Sequence, residues 1–184
     1  QAKAGFCPER NLSMSRNIGL DLAAGDLVAF LDDDALPEPV WLEQLTAAFI
    51  QPDIAAASGL VFQPNSRDIQ FRYSLCDRFG ETIHLDAPAQ GAAYPLSSQF
   101  PHVMGANCMF RRDVLITAGG FDEEYEYYLE EADICCRLVD TGHHVVHADG
   151  APVHHKYLSG ATRDGAGITV RRGSIIKNQL YFSL

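Results

Sequence analysis

Long hydrophobic runs are missing from this sequence: the longest, Leu27 to Leu31 and Ile54 to Ala57, fall far short of the ~20 residues that span a bilayer. Positive charge is scarce as well. Fourteen Lys and Arg stand against 24 Asp and Glu, a net charge of −10. A chain this acidic has no general attraction for a phosphodiester backbone, so nucleic acid is not an expected partner. The first residues lack the basic, then apolar, then small-residue order of a secretory signal. Five cysteines are present (Cys7, Cys76, Cys108, Cys135 and Cys136), but none in Cys-x-x-Cys spacing, so a zinc ribbon is unsupported. Adjacent Cys135 and Cys136 diverge on a helix, and the expected state is reduced, mostly buried thiols of a cytoplasmic protein.

What is there describes one folded unit. The chain has 184 residues, 47% hydrophobic and 21% charged, which excludes disorder as its main state. No internal repeat, low-complexity tract or linker interrupts it. Asn11 to Ala24 reads as a helix, capped by Ser13 or Ser15 and stopped by Gly25. Leu27 to Leu31 has the continuous apolar pattern of a buried strand. Trp41 to Phe49 has helical spacing, and Ile54 to Phe62 reads as the next strand. This alternation predicts an α/β domain with a mostly parallel sheet. Gln63 to Gln99 predicts a helix near Ile69 to Phe79 and then a long, mobile loop. Val103 to Arg111 reads as a strand, Asp113 as the cap of a short helix ending at Gly119-Gly120, and Glu130 to Thr141 as a helix stopped by Gly142. His144 to His147 is a further strand, and Val170 to Leu184 an amphipathic helix.

Three groups of residues can carry chemistry. Asp32-Asp33-Asp34 directly follows an apolar strand, so Asp32 and Asp34 point the same way. Two converging carboxylates repel unless a cation lies between them, and Mg²⁺ or Mn²⁺ takes such oxygen donors together with substrate phosphates. A solvated acidic loop is the plainer explanation of the triplet. Glu130, Glu131 and Asp133 stand at a helix start, where they either complement the helix dipole or include a general base. Arg137, four residues after Asp133, is placed to pair with it. Among the late histidines, one of His154 and His155 can join the carboxylates around a metal ion.

The order of these pieces resembles the inverting glycosyltransferases of family 2. Arg16 to Leu20, Ala24-Gly25-Asp26, Ala29 to Ala35 and Pro37 to Leu42 are similar to one family block. Gly105-Ala106-Asn107 with Arg111-Arg112, then Gly119 to Glu123, then Glu130 to Leu138 resemble three more in the family's order. The resemblance covers about Arg16 to His155.

It implies an incomplete GT-A (Rossmann-like) domain over residues 1–184, retaining the metal and acceptor half of the site and lacking the N-terminal nucleotide-binding strands. On the same grounds the triplet would be the family's DxD motif. Asp34 and Asp32 would hold Mn²⁺ or Mg²⁺, with His154 or His155 beside them. Asp32, Asp33, Gly105, Ala106, Asn107 and Arg137 would bind substrate. Glu131, with Glu130 or Asp133, would supply the base, although the family's usual second residue here is Asp. The implied reaction moves a sugar from a nucleotide-sugar donor to a saccharide or lipid-linked acceptor with inversion, as in polysaccharide biosynthesis. It would occur in the cytoplasm or at the inner face of the cytoplasmic membrane, with peripheral membrane association of the parent. The isolated piece is expected to be inactive and to self-associate through its open sheet edge. The competing readings are a degenerate, non-catalytic module that binds carbohydrate or a partner, and a sugar-phosphate nucleotidyltransferase. The latter usually has a Gly-rich phosphate loop near its N-terminus, and this chain has none.

Overall fold

The computed structural model describes residues 2–89, 93–158 and 172–183. Its main layer is a six-stranded sheet. β1 (Leu27–Leu31), β3 (Ile54–Phe62) and β9 (His144–His155) all run one way, and β8 (Asn107–Arg111) runs the other way between β1 and β3. Short β2 (Ala35–Pro37) borders β9, and β4 (Ile69–Phe71) pairs with the end of β3, both antiparallel. The sheet is therefore mixed rather than mostly parallel: β3 and β9 form its one parallel pair among the described residues. Sequence order hid this, because β8 inserts between two strands that come some fifty and eighty residues before it.

Helices α1 (Leu12–Leu22), α2 (Trp41–Ala47), α3 (Arg112–Thr117) and α4 (Glu130–Asp140) surround the sheet, and α5 (Arg172–Phe182) comes last. None of the described helices is long and apolar enough to cross a membrane. The α1 cap is Asn11, whose side chain accepts from the Met14 N–H, rather than Ser13 or Ser15. Ser13 and Ser15 instead donate to the Tyr125 and Asn11 carbonyls. The largest core cluster joins Phe100, Phe110 and Phe121 to Ile134, Cys135 and Leu138 from α4. Gly119, Gly120 and Gly142 end α3 and α4 with positive φ, as their positions predicted. All five cysteines are free thiols.

The expected helix near Ile69 to Phe79 is instead β4 followed by β5 (Tyr73–Asp77). The cause is local. Asp77 Oδ1 accepts from both the Phe79 and Glu81 N–H, and Gly80 takes φ +78, which closes a turn into β6 (Thr82–Leu85). β7 (Gln99–Pro101) completes a small antiparallel sheet in the order β6-β5-β7. Part of the Gln63 to Gln99 segment is thus sheet. The α5 helix exists, but its apolar Ile176 and Leu180 are exposed while Asn178 is buried, so it is not amphipathic in the expected sense.

This packing buries a histidine that the sequence did not single out. His102 is 8% exposed, shares a hydrogen bond of 3.0 Å between Nδ1 and the Ser74 hydroxyl, and meets Phe71 edge-on. Burial first, then His147 and His84 nearby, push its pKa down to about 3. The unfolded chain takes up a proton near pH 6.5 and the folded chain does not, so this stability is present above pH 6.5 and lost as pH falls. Denaturation midpoints should show a loss of up to ~2 kcal/mol from this group between pH 7 and pH 5. His102→Asn should flatten that slope over the same range. An unchanged slope would assign the acid sensitivity elsewhere.

Candidate active site

At one end of the main-sheet strands, Asp32 after β1 and the start of α4 line a common cleft of about 480 Å³. Gly105 and Ala106, in the turn before β8, line it too. At its centre is Arg16, buried at 6% exposure on α1. Its Nη1 donates to Glu130 Oε1 at 3.0 Å, its Nη2 to Glu131 Oε1 at 3.1 Å, and Asp32 Oδ1 lies 3.9 Å away. Burial disfavours the guanidinium charge, but Glu131 and Glu130 more than reverse this and its pKa is raised. Glu130, 2% exposed, is held well above the usual carboxylate range by burial and then by Glu131, with Arg16 opposing. Asp32 is raised for the same first reason, with Arg16 again opposing.

Gly105 is required for this arrangement. A Cβ built there would lie 1.9 Å from Glu131 Oε1 and 2.2 Å from Arg16 Nη2. Both neighbours are held by their ion pair, so neither can give way cheaply.

The second part of the site is at the same end of the strands, on β9. His155, at the end of β9, has its Nε2 3.1 Å from Asp34 Oδ1 and 3.7 Å from Asp32 Oδ2. One ligand atom from each of the three lies within 4.8 Å of the others. His155 Nδ1 is 3.0 Å from Gln70 Oε1, which accepts its proton. In the neutral ring that bond leaves the Nε2 lone pair directed at two carboxylates, an arrangement that a divalent cation satisfies. Two carboxylate oxygens and one imidazole nitrogen suit Mn²⁺. Asp34 is further fixed by the Leu158 N–H, which donates to its Oδ2 at 2.9 Å.

Several expected site residues are elsewhere. His154 pairs with Glu38 at 2.8 Å and stacks on Phe62, so of the two histidines it is His155 that reaches the carboxylates. Asp33 is exposed and lines no part of the cleft. Asp133 and Arg137 pair with each other at 2.6 Å, and Arg137 also donates to the carbonyls of Ala118 and Gly120. Neither lines the cleft. Asn107 is fully buried, with its amide used up: Oδ1 accepts from Trp41 Nε1 at 2.7 Å, and Nδ2 donates to the carbonyls of Leu60 and Ala151. It fixes the sheet and does not line the cleft.

Arg16, Gln70 and the cleft residues His84, Tyr127 and Tyr128 were not singled out as site residues. Only Arg16 had a sequence signal, as the first residue of the family-like block Arg16 to Leu20.

The glycosyl transferase family 2 model matches residues 6–119. The chain belongs to this family. The matched stretch holds Arg16, the Asp triplet and Gly105, while Glu130, Glu131 and His155 lie beyond it. The family 2 chain is 31% identical over 162 residues to the glucosyl-dolichyl phosphate glucuronosyltransferase of Haloferax volcanii, covering 80% of the chain and 48% of the relative. It is 32% identical over 146 residues to the pre-mycofactocin glycosyltransferase of Mycobacterium tuberculosis, covering 78% and 29%. It spans about half or less of the length of these curated relatives. Two solved structures share its fold at 16% identity. GalNAc-T7 with UDP, GalNAc and Mn²⁺ aligns with TM-score 0.62 over 79% of the chain and 30% of its own. The mannosyltransferase PcManGT from Pyrobaculum calidifontis, with GDP-Man and Mn²⁺, gives 0.57 over 83% and 38%. The fold is the α/β GT-A fold.

Removing the central cation tests the site's construction. Arg16→Met leaves Glu130 buried without its counter-charge and should cost ~3–5 kcal/mol in urea denaturation. Adding Glu130→Gln to that variant should recover part of the loss, because the buried charge itself is then gone.

Proposed function

We propose that this chain carries the metal and acceptor half of an inverting glycosyltransferase, which moves a sugar from a nucleotide-sugar donor to a saccharide or lipid-linked acceptor. The observation that carries this reading is the meeting of Asp32 with Glu130 and Glu131 in one cleft, with Asp34 and His155 clustered beside Asp32. A relative named for glucosyl-dolichyl phosphate supports a lipid-linked acceptor, and with it peripheral association with the inner face of the cytoplasmic membrane.

The proton is the first task of such a site. Glu131 lines the cleft and accepts from Arg16 through Oε1, a contact that uses only part of a carboxylate's accepting capacity. It takes the proton from the acceptor hydroxyl as that oxygen attacks the anomeric carbon. Attack opposite the departing nucleoside diphosphate inverts the centre. Glu130, buried against Arg16 Nη1, fixes the guanidinium and so the position of Glu131. Asp133, tied to Arg137, is unsuited to this role.

Charge on the donor is the second task. Asp34, Asp32 and His155 would hold Mn²⁺ or Mg²⁺, which when bound supplies Lewis-acid neutralisation of the diphosphate. Gln70 holds the His155 ring with Nε2 toward the carboxylates.

Glu131→Gln, measured in the complete polypeptide against a panel of nucleotide sugars, should lower kcat by ~10²-fold or more. Asp133→Asn should change kcat far less. The reverse ranking would exchange their roles. Mn²⁺ titration followed by electron paramagnetic resonance should show weakened binding in Asp34→Ala and His155→Ala but not in His154→Ala. Equal binding by His155→Ala and the unaltered protein would remove the histidine from the metal set.

A further inference from the structure

The backbone immediately before the paired glutamates is strained. Tyr128 and Leu129 have φ of +80 and +74, two consecutive residues with side chains in the left-handed region. Such a conformation is unfavourable for residues with a Cβ and persists only where the surroundings impose it. The next residues are Glu130 and Glu131, and Leu129 is the α4 N-cap with no side-chain cap bond of its own. Any relaxation of this step moves both carboxylates relative to Arg16.

The Leu129 side chain is buried in the main core, and a second restraint on the step comes from α5. Asn178 Nδ2 donates to the Tyr127 carbonyl at 2.8 Å and the Tyr128 carbonyl at 2.7 Å, so both hydrogens of one amide are spent on consecutive peptide groups. Asn178 is 1% exposed, while Ile176 and Leu180 on the same helix are 61% and 65% exposed. α5 thus turns this amide inward together with Phe182, which packs against Phe100 and Tyr125. The α1 end holds only the preceding stretch, through Asn11 to the Glu123 carbonyl, Ser13 to that of Tyr125 and the Leu12 N–H to that of Glu126.

We infer that Asn178 is a positioning residue that pins the left-handed step and thereby sets Glu130 and Glu131 against Arg16. This rests on the reading of Glu131 as base, but the restraint itself can be measured without turnover. Asn178→Asp keeps the size of the side chain, removes both donors and turns oxygen toward two carbonyls. Hydrogen exchange of the complete polypeptide should become at least tenfold faster at residues 127–133 and stay unchanged in β3 and β8. In sugar transfer, kcat should fall at least tenfold with the donor KM within twofold. Adding Tyr128→Asn, a residue type that tolerates left-handed φ, should restore part of the slow exchange. Exchange that is unchanged, or faster by the same factor throughout the protein, would overturn the inference. So would a retained kcat alongside fast local exchange. If the unaltered protein transfers no sugar, the proposed function fails, while the exchange result still decides whether Asn178 holds the step.

Discussion

A single buried guanidinium organises this site. Arg16 projects from the first helix to the start of α4 and the end of β1, and three carboxylates lie within 4 Å of it. One positive charge among three acids leaves a residual negative charge in the cleft. Lysine could not replace it: a single ammonium cannot present separate donors along fixed directions to two neighbouring carboxylates. The close approach of Gly105 follows from the same constraint, since the turn before β8 has to pass over the pair without a side chain. The cost of burying these charges is repaid by geometry, which a cleft lined by apolar groups would not supply.

The elements legible in the sequence were those defined by local signals. β1 and β3 are continuous apolar runs, and α4 combines helical spacing with a glycine stop, so their placement followed from periodicity alone. The Asp133–Arg137 pair was legible for the same reason, being one turn apart. β4 to β7 were not, because short antiparallel strands are decided by turns. The turn that decides here depends on one Asp oxygen and one glycine. Nor was the antiparallel β8 between β1 and β3, which is a long-range pairing with no local trace.

The site was legible as a set of residue types more than as a geometry. Family spacing pointed to the Asp triplet and to Glu130 and Glu131, and of these Asp32, Glu130 and Glu131 line the cleft. Asn107 was misleading, because an Asn in a glycine-containing turn reads equally as a ligand contact or a sheet fastener. Its three protein bonds make it the second. His154 and His155 differed only in parity along β9, and parity is fixed by pairing with strands distant in sequence.

That parity comes from an irregularity in β9. Between the pairs Gly59–Ala148 and Val61–Val153, β3 has only Leu60, whereas β9 has the four residues from Asp149 to Pro152. Asn107 and the bare Gly59 hold the Ala151 carbonyl of this bulge in place. Shortening the bulge by one residue would slide the end of the strand and bring Lys156 to the place now held by His155. An ammonium there would neutralise Asp32 and Asp34 from within the chain. The length of one bulge therefore decides whether this cleft must recruit its counter-charge from solution or carries it permanently.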